Sequence, residues 1–269
     1  MAEGKPLFSE AEWNAEVPKV SRAMHEHLAG YCVPVSKHLG DHGELWGTGT
    51  YLRLMDRTFI LTNEHVADIR PQGLLHQFCG ADDLHPVLGN HASFGWPLDV
   101  AVLPVEKSIW ETPGHQAKAI TEDLISIAHE PAPTELLTFA GYSGDRSQFI
   151  FNTLITPGTS STAREVPLPV DDRFKARFHM AIEYKPDLAT NVIGSHGLPC
   201  PPGFSGSAVW NTGFVESRMA GEPWTPDMAR VSGIVWGWPS SSGCIVATRV
   251  EYVRSFLLSV PKLLVTGDI

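Results

Sequence analysis

The sequence lacks the features that mark membrane proteins and nucleic-acid-binding proteins. It has no apolar run of about 18 residues or more, which a transmembrane helix requires. It carries 20 Lys and Arg against 30 Asp and Glu, and the net charge of −10 disfavours nonspecific binding to nucleic acid. Its start, Met1–Glu10, is charged and contains no apolar signal region. We therefore expect a cytoplasmic protein with no nucleic-acid partner and no membrane insertion.

Cysteine and metal-binding motifs are also scarce. The four cysteines show no C-x-x-C pair and no zinc-ligand spacing, which fits a reducing compartment. His25 and His27 lie close together, but a third ligand at suitable spacing is missing, and there is no H-E-x-x-H motif. A G-x-S-x-G motif is absent as well, which disfavours an α/β-hydrolase. We expect neither a metal nor an organic cofactor.

The composition that remains is typical of a β-protein with a sizeable core. Of the 269 residues, 43% are hydrophobic, enough for one large or two small domains. The 21 Pro and 24 Gly, with few helical patterns, indicate many strands and turns. One helical pattern lies near the start, where Ser9 and Glu12 could form a capping box and apolar residues recur from Trp13 to Leu28. Pro18 is expected to interrupt or kink that helix.

A histidine follows two predicted strands in the first half of the chain. The segments Trp46–Leu54 and Thr58–Thr62 are separated by a short charged turn and predict adjacent strands. The second strand runs into the sequence LTNEHV at Leu61–Val66, which places His65 at a strand end. Side chains held by the end of a rigid sheet often carry catalysis, and His65 is therefore a candidate catalytic base.

An aspartate and a serine lie in equally distinctive settings. Asp99 opens the apolar strand Val100–Val105, so its carboxylate is expected to be partly buried and to need a partner such as a histidine Nδ1–H. Ser205 lies between Gly203 and Gly206, which permit a tight turn. Such a turn can point the N–H groups of Gly203 and Ser205 at one spot, which predicts an oxyanion hole.

The three motifs, in the order His, Asp, Ser, resemble those of the chymotrypsin/trypsin-fold serine peptidase family. Two further segments fit: Val231–Gly237 resembles the strand that lines the substrate cleft, and Cys244–Val250 resembles the strand before the C-terminal helix. The resemblance runs from about Leu28 to Leu258. It implies a serine endopeptidase that acts on a protein or peptide through a triad of His65, Asp99 and Ser205.

The same resemblance implies an all-β fold of two packed antiparallel six-stranded β-barrels. We expect an N-terminal helical extension at residues 1–28, a first barrel with the His and Asp at 29–110, and a connection at 111–133. The second barrel, with the Ser and the specificity pocket, is expected at 134–250, and a C-terminal helix and tail at 251–269. The extension is a possible docking site for a regulatory partner.

The chain departs from the family pattern at several positions. Phe204 stands where digestive members carry an Asp that pairs with a new N-terminal amine, so activation by such a pair is not expected. Ser207 replaces the second Gly of the serine motif, and Trp236 falls where the family commonly has a Ser that supports the aspartate. Cys200 and Cys244 lie roughly where secreted members close the pocket with a disulfide, and free thiols are the other possibility.

The resemblance also implies which residues form the substrate pocket. By the resemblance, the pocket is expected to have its base near Pro199 and its walls formed by Cys200 to Pro202, by Trp236, Gly237 and Trp238, and by Ile245. No acidic residue stands at the base, and a bulky Trp favours small or apolar side chains. Two alternatives stay open: a catalytically silent barrel that binds a peptide or a partner, and a processing peptidase of viral type with narrow, self-directed cleavage.

Overall fold

The computed structural model describes residues 7–39, 43–69, 73–150, 153–190, 192, 197–240 and 242–266. Within these residues the first sheet has seven strands: β1 (Cys32–His38), β2 (Gly43–Leu54), β3 (Arg57–Thr62), β4 (Leu74–Gln77), β5 (Leu84–Pro86), β6 (Ala92–Phe94) and β7 (Val100–Pro104). Their order in the sheet is β5-β4-β1-β2-β3-β7-β6, and every neighbouring pair is antiparallel.

A second antiparallel sheet follows in the chain. In the described part it has seven strands: β8 (Leu137–Tyr142), β11 (Gly158–Ala163), β12 (Glu165–Val166), β13 (His179–Glu183), β14 (Ala208–Asn211), β15 (Arg230–Gly237) and β16 (Cys244–Arg249). Their order is β11-β8-β14-β15-β16-β13-β12. A separate two-stranded ribbon is formed by β9 (Gln148–Ile150) and β10 (Thr153–Ile155).

Helices are few, and the two long ones lie at the ends of the chain. The α-helices of the described ranges are α1 (Glu10–Leu28), α2 (Glu64–Ala67), α3 (Lys107–Trp110), α4 (Phe214–Ala220) and α5 (Val250–Thr266). The predicted all-β fold class, with a helix at each end, is confirmed. Each sheet has seven strands among these residues where six were expected, because short edge strands such as β6 and β12 add to the pairing.

The strands alternate their side chains between two apolar layers. In β3, Phe59 and Leu61 face a core shared between both sheets and the terminal helices, whereas Ile60 faces the interior of the first barrel. In β14, Trp210 faces the shared core and Val209 the interior of the second barrel. Successive side chains of a strand point to opposite faces. A strand that is buried on both faces therefore has a continuous apolar sequence, as β3 and β7 do.

Helix α1 belongs to the shared core. Its capping box is present as predicted: the Glu12 N–H donates to Ser9 Oγ, and the Glu12 carboxylate accepts from the Ser9 N–H. The helix continues through Pro18 without ending there. Pro18 removes the donor for the Asn14 carbonyl, and since Asn14 is exposed, water can take that place.

Three side chains anchor α1 at helical spacing. Val20, Met24 and Leu28 are 0–1% exposed and pack with residues of the second sheet, including Trp210 and Val231. The segment expected to be an extension therefore contributes to the core itself, and only its opposite face remains for a partner.

Substituting Met24 tests this role of α1. Met24→Ala is expected to lower the free energy of unfolding by about 2–5 kcal/mol, because it removes buried methylenes and leaves a cavity. Urea unfolding measures the effect, with Glu16→Ala as the control, since Glu16 makes only a surface ion pair with Lys19. Unfolding of both variants at the same urea concentration would contradict a core role for α1.

A buried histidine in the first barrel makes stability depend on pH. His76, on β4, is 1% exposed, and its Nδ1 lies 3.0 Å from Tyr51 Oη. Burial, with a smaller contribution from His85, lowers the pKa of His76 from 6.5 to about 3. The unfolded chain therefore binds this proton more readily than the folded one, and the stability that neutral His76 permits is complete above pH 6.5 and is lost as the pH falls toward 3.

We expect the free energy of unfolding to fall by about 2 kcal/mol between pH 7 and pH 5 on account of His76, at about 1.36 kcal/mol per pKa unit. Denaturant titrations at a series of pH values measure this slope. His76→Gln should flatten it, whereas His38→Gln, at an exposed position, serves as the matched control. The same slope in His76→Gln as in the wild type would contradict the assignment.

Candidate active site

His65 and Asp99 form a hydrogen-bonded pair at the ends of two neighbouring strands. β3 ends at Thr62, and His65 lies in the short helix α2 that follows. Its Nδ1 lies 2.6 Å from Asp99 Oδ2, and its backbone N–H donates to Asp99 Oδ1 at 3.0 Å. Since β3 pairs with β7, which begins directly after Asp99, the sheet itself brings the two residues together.

This pair fixes the tautomer of the imidazole. An ionised carboxylate only accepts hydrogen bonds, so the His65 Nδ1 carries the proton and the lone pair lies on Nε2. The His65 side chain is 45% exposed, whereas that of Asp99 is 10% exposed. The arrangement places a mostly buried carboxyl group beside an accessible imidazole.

The segment before Asp99 is held by the second barrel. The Thr248 hydroxyl donates to the Leu98 carbonyl at 2.7 Å, and His179 Nε2 lies 2.7 Å from the Pro97 carbonyl. His179 Nδ1 accepts from the Lys175 N–H, so its Nε2 is the donor, and burial lowers the pKa of His179, which keeps it neutral.

Asp99 itself adopts an uncommon backbone conformation. Its φ of +45° lies in the left-handed region that non-glycine residues rarely occupy. The Asn63 side-chain amide donates to its carbonyl at 2.7 Å. These contacts hold the carboxylate in position without a serine from the second barrel, and Trp236 instead packs against Phe174 and His179.

Ser205 lies in a turn that two glycines make possible. The Phe204 N–H donates to the Pro201 carbonyl at 3.0 Å, and Gly203 has a φ of +107°, as the third residue of a type II turn requires. A Cβ on Gly203 would lie 2.6 Å from the Tyr142 carbonyl oxygen. At Gly206 (φ +92°) a Cβ would lie 1.9 Å from the Thr48 carbonyl oxygen, so neither position admits a side chain.

Two N–H groups of this turn are free. Within the described residues, neither the Gly203 nor the Ser205 N–H has an acceptor. The Pro202 carbonyl, on the same peptide as the Gly203 N–H, accepts from the Gly144 N–H at 2.9 Å. Because the N–H and C=O of a trans peptide point in opposite directions, the Gly203 N–H points away from Gly144.

Thr48 of β2 joins the first barrel to this turn. Its N–H donates to the Ser205 carbonyl at 2.8 Å, and its Oγ1 donates to the Gly203 carbonyl at 2.7 Å. The same Oγ1 accepts from the Tyr142 N–H, and the Thr48 carbonyl accepts from Thr62 Oγ1. Thr48 is fully buried, and all of its polar groups are satisfied.

Gly47 of β2 lies between the segment that carries the histidine and the turn that carries the serine. A Cβ on Gly47 would lie 2.8 Å from a methyl of Val66, the neighbour of His65, and 3.3 Å from the Ser205 carbonyl oxygen. In the part of the chain that the structure describes, Ser205 Oγ forms no hydrogen bond with His65.

A small apolar pocket opens beside Ser205. Its volume is about 110 Å³, and its walls come from Pro201, Pro202, Phe204, Val235, Trp236, Gly237, Trp238 and Ile245. None of the described lining residues is acidic. Of the residues predicted for the pocket, Pro201, Pro202, Trp236, Gly237, Trp238 and Ile245 line it. The other two, Pro199 and Cys200, lie outside the lining, where their carbonyls accept from Tyr184 Oη and Ser143 Oγ.

The cysteines are unpaired in the structure. Cys32, Cys79, Cys200 and Cys244 are free thiols, and burial raises the pKa of the Cys244 thiol. Among the described residues no group of three or more His, Cys, Asp or Glu side chains could hold a metal ion.

None of the described helices combines the length and the apolar character that crossing a bilayer requires.

Sequence reasoning missed the hydrogen bonds that support the site. Asn63, which bonds to Asp99 within the first barrel, and Thr248 fall inside motifs that were noticed for other residues, and Thr48 was noticed only as a small residue that allows close backbone approach. His179 lies in no motif that was linked to the site.

Comparison with known proteins gives a likeness in structure only. No protein-family model and no curated protein sequence matches the chain. A serine endoprotease from Yersinia pestis has a TM-score of 0.54 and 16% identity, over 92% of this chain and 67% of its own. A protease from M. tuberculosis in its active form has a TM-score of 0.52 and 16% identity, over 91% and 86%. Its inactive form gives 0.51 and 16%, over 91% and 95%. At these identities the likeness shows the fold, which is the double-barrel fold of chymotrypsin-like serine proteases.

Proposed function

We propose that the protein is a serine endopeptidase in which Ser205, His65 and Asp99 form the catalytic triad. The observation that carries the proposal is the Asp99–His65 pair, at 2.6 Å, together with a serine turn in which, among the described residues, the N–H groups of Gly203 and Ser205 have no acceptor. Acyl transfer needs these components: a base, an orienting acid, a nucleophile and donors for the developing oxyanion.

In this reaction His65 Nε2 takes the proton from Ser205 Oγ as that oxygen attacks a peptide carbonyl. Asp99 holds the imidazole in the tautomer with Nδ1 protonated and stabilises the imidazolium that forms. The N–H groups of Gly203 and Ser205 bind the oxyanion. The amine leaves with the proton from His65, and water then releases the acyl group from Ser205 with His65 again acting as base.

Labelling with a fluorophosphonate probe tests the nucleophile. The wild type is expected to form one covalent adduct, and Ser205→Ala to form none and to lose casein hydrolysis by roughly 10⁴-fold or more. Ser207→Ala is the matched control, because Ser207 is a buried serine of the same turn. It should still label. Labelling of Ser205→Ala to the wild-type extent would overturn the assignment.

The pocket supports a substrate class. Its volume of about 110 Å³ and its apolar walls favour a small or apolar side chain before the scissile bond. Trp238, 40% exposed, stands on its wall and restricts its width.

A peptide-library digest read by mass spectrometry should therefore show cleavage after small or apolar residues. Trp238→Ala is expected to widen the pocket and to shift the preference toward larger apolar residues, by about 10-fold or more in the ratio of kcat/KM values. A wild-type profile dominated by Arg and Lys would contradict this proposal.

A second candidate is a catalytically silent barrel that binds a peptide or a partner. The observation that favours it is the missing hydrogen bond between Ser205 Oγ and His65, although such bonds often form only in the substrate complex. A wild type that binds peptides but never reacts with the probe would identify this case. A cytoplasmic location and a regulatory partner bound through α1 stay predictions from the sequence.

A further inference from the structure

A turn in the second barrel is bonded to the loop that carries the proposed oxyanion hole. We name the two segments the clasp turn (Ser143–Arg146) and the oxyanion loop (Gly197–Gly203). Four contacts join them: Ser143 Oγ to the Cys200 carbonyl at 2.7 Å, the Gly144 N–H to the Pro202 carbonyl at 2.9 Å, Asp145 Oδ2 to the Cys200 N–H at 3.1 Å, and Arg146 to the Gly197 carbonyl.

These contacts fix the peptide planes that precede the catalytic serine. Cys200 is held at its N–H by Asp145 and at its carbonyl by Ser143, and the Pro202 carbonyl is held by Gly144. The Pro202–Gly203 peptide carries the Gly203 N–H at its other end. If that peptide turned over, the Pro202 carbonyl would lose its donor and the Gly203 N–H would leave the cleft.

Asp145 organises the clasp turn as well as touching the loop. Its Oδ1 contacts the hydroxyl of Ser143, which is fully buried, while its Oδ2 accepts from the Cys200 N–H. Burial opposes ionisation, but hydrogen bonds from Ser143 and the Cys200 N–H, together with nearby Arg146, lower the pKa of Asp145. The carboxylate is therefore ionised at neutral pH. Its Oδ2 accepts from the Cys200 N–H, and the single hydroxyl hydrogen of Ser143 is shared between Asp145 Oδ1 and the Cys200 carbonyl.

No ion pair at position 204 can hold the oxyanion loop. Phe204 is 1% exposed and packs edge-on against Phe139, with ring centroids 5.3 Å apart. The loop is thus anchored by an apolar ring on one side and by the clasp turn on the other.

We propose that Asp145 is a positioning residue, which holds the oxyanion loop so that the Gly203 N–H faces the cleft in the uncleaved chain. This inference rests on the proposed peptidase function. It makes the site competent through contacts inside the second barrel, and no newly formed N-terminal amine is needed.

The test follows the rate of fluorophosphonate labelling of the full-length protein against probe concentration. Asp145→Ala is expected to lower the maximal rate by about 10- to 100-fold, short of the roughly 10²–10³-fold cost of removing an oxyanion donor outright. The half-saturating concentration should stay unchanged, because probe binding does not use the oxyanion hole. Asp145→Asn keeps an oxygen for the Cys200 N–H and should stay close to the wild-type rate.

The control is Asp123→Ala, which removes a carboxylate that bonds to Thr121 in an exposed turn of the connection. Its labelling rate should match the wild type. All rates are measured well below the thermal midpoint of Asp145→Ala, so that a lower rate reflects the oxyanion loop and not unfolding. An unchanged maximal rate in Asp145→Ala, or an equal loss in the Asn and Ala variants, would overturn the positioning role. A wild type that never labels would instead refute the proposed function, and the inference with it.

Discussion

Thr48 links the two barrels by hydrogen bonds beside the candidate active site. Its N–H and its Oγ1 both donate to carbonyls of the serine turn, and its own carbonyl accepts from Thr62, three residues before His65. A backbone this close leaves no room for a side chain at Gly206, where a Cβ would lie 1.9 Å from the Thr48 carbonyl oxygen. The glycine is therefore needed for barrel docking as much as for the turn. Since Thr48 is fully buried, loss of any of these bonds would leave an unsatisfied polar group in the core.

The second barrel also supports residues of the first barrel. The first barrel carries His65 and Asp99, but the second barrel holds the segment before Asp99 through His179 and Thr248. Each barrel thus holds residues of the proposed triad that lie in the other, and their arrangement depends on the shared core. The helix α1 contributes to that core through Met24 and Leu28, so the chain's first helix is linked to the site through packing.

Much of the fold could be predicted because its signals are local. Short segments around His65, Asp99 and Ser205 predict a strand end, a buried carboxylate and a glycine turn. The Asp99–His65 contact follows from the pairing of their strands. What joins the barrels could not be predicted, since hydrogen bonds such as that of Thr48 with Gly203 link positions 155 residues apart. Pro18 was expected to interrupt or kink a helix, and the helix continues through it, because packing of the helix on the shared core outweighs the lost hydrogen bond. The pocket walls at Pro201 and Pro202 were expected from the resemblance, whereas Pro199, expected at the base, lies outside the lining.

The central claim is that the serine turn presents Ser205 Oγ and two N–H groups to the same reacting centre. A crystal structure of the protein after reaction with a small phosphonate tests it most directly. We expect phosphorus bonded to Ser205 Oγ, with the phosphoryl oxygen about 2.7–3.1 Å from the nitrogens of both Gly203 and Ser205. A phosphonate attached to another residue, or a phosphoryl oxygen directed into solvent with both N–H groups unpaired, would contradict it.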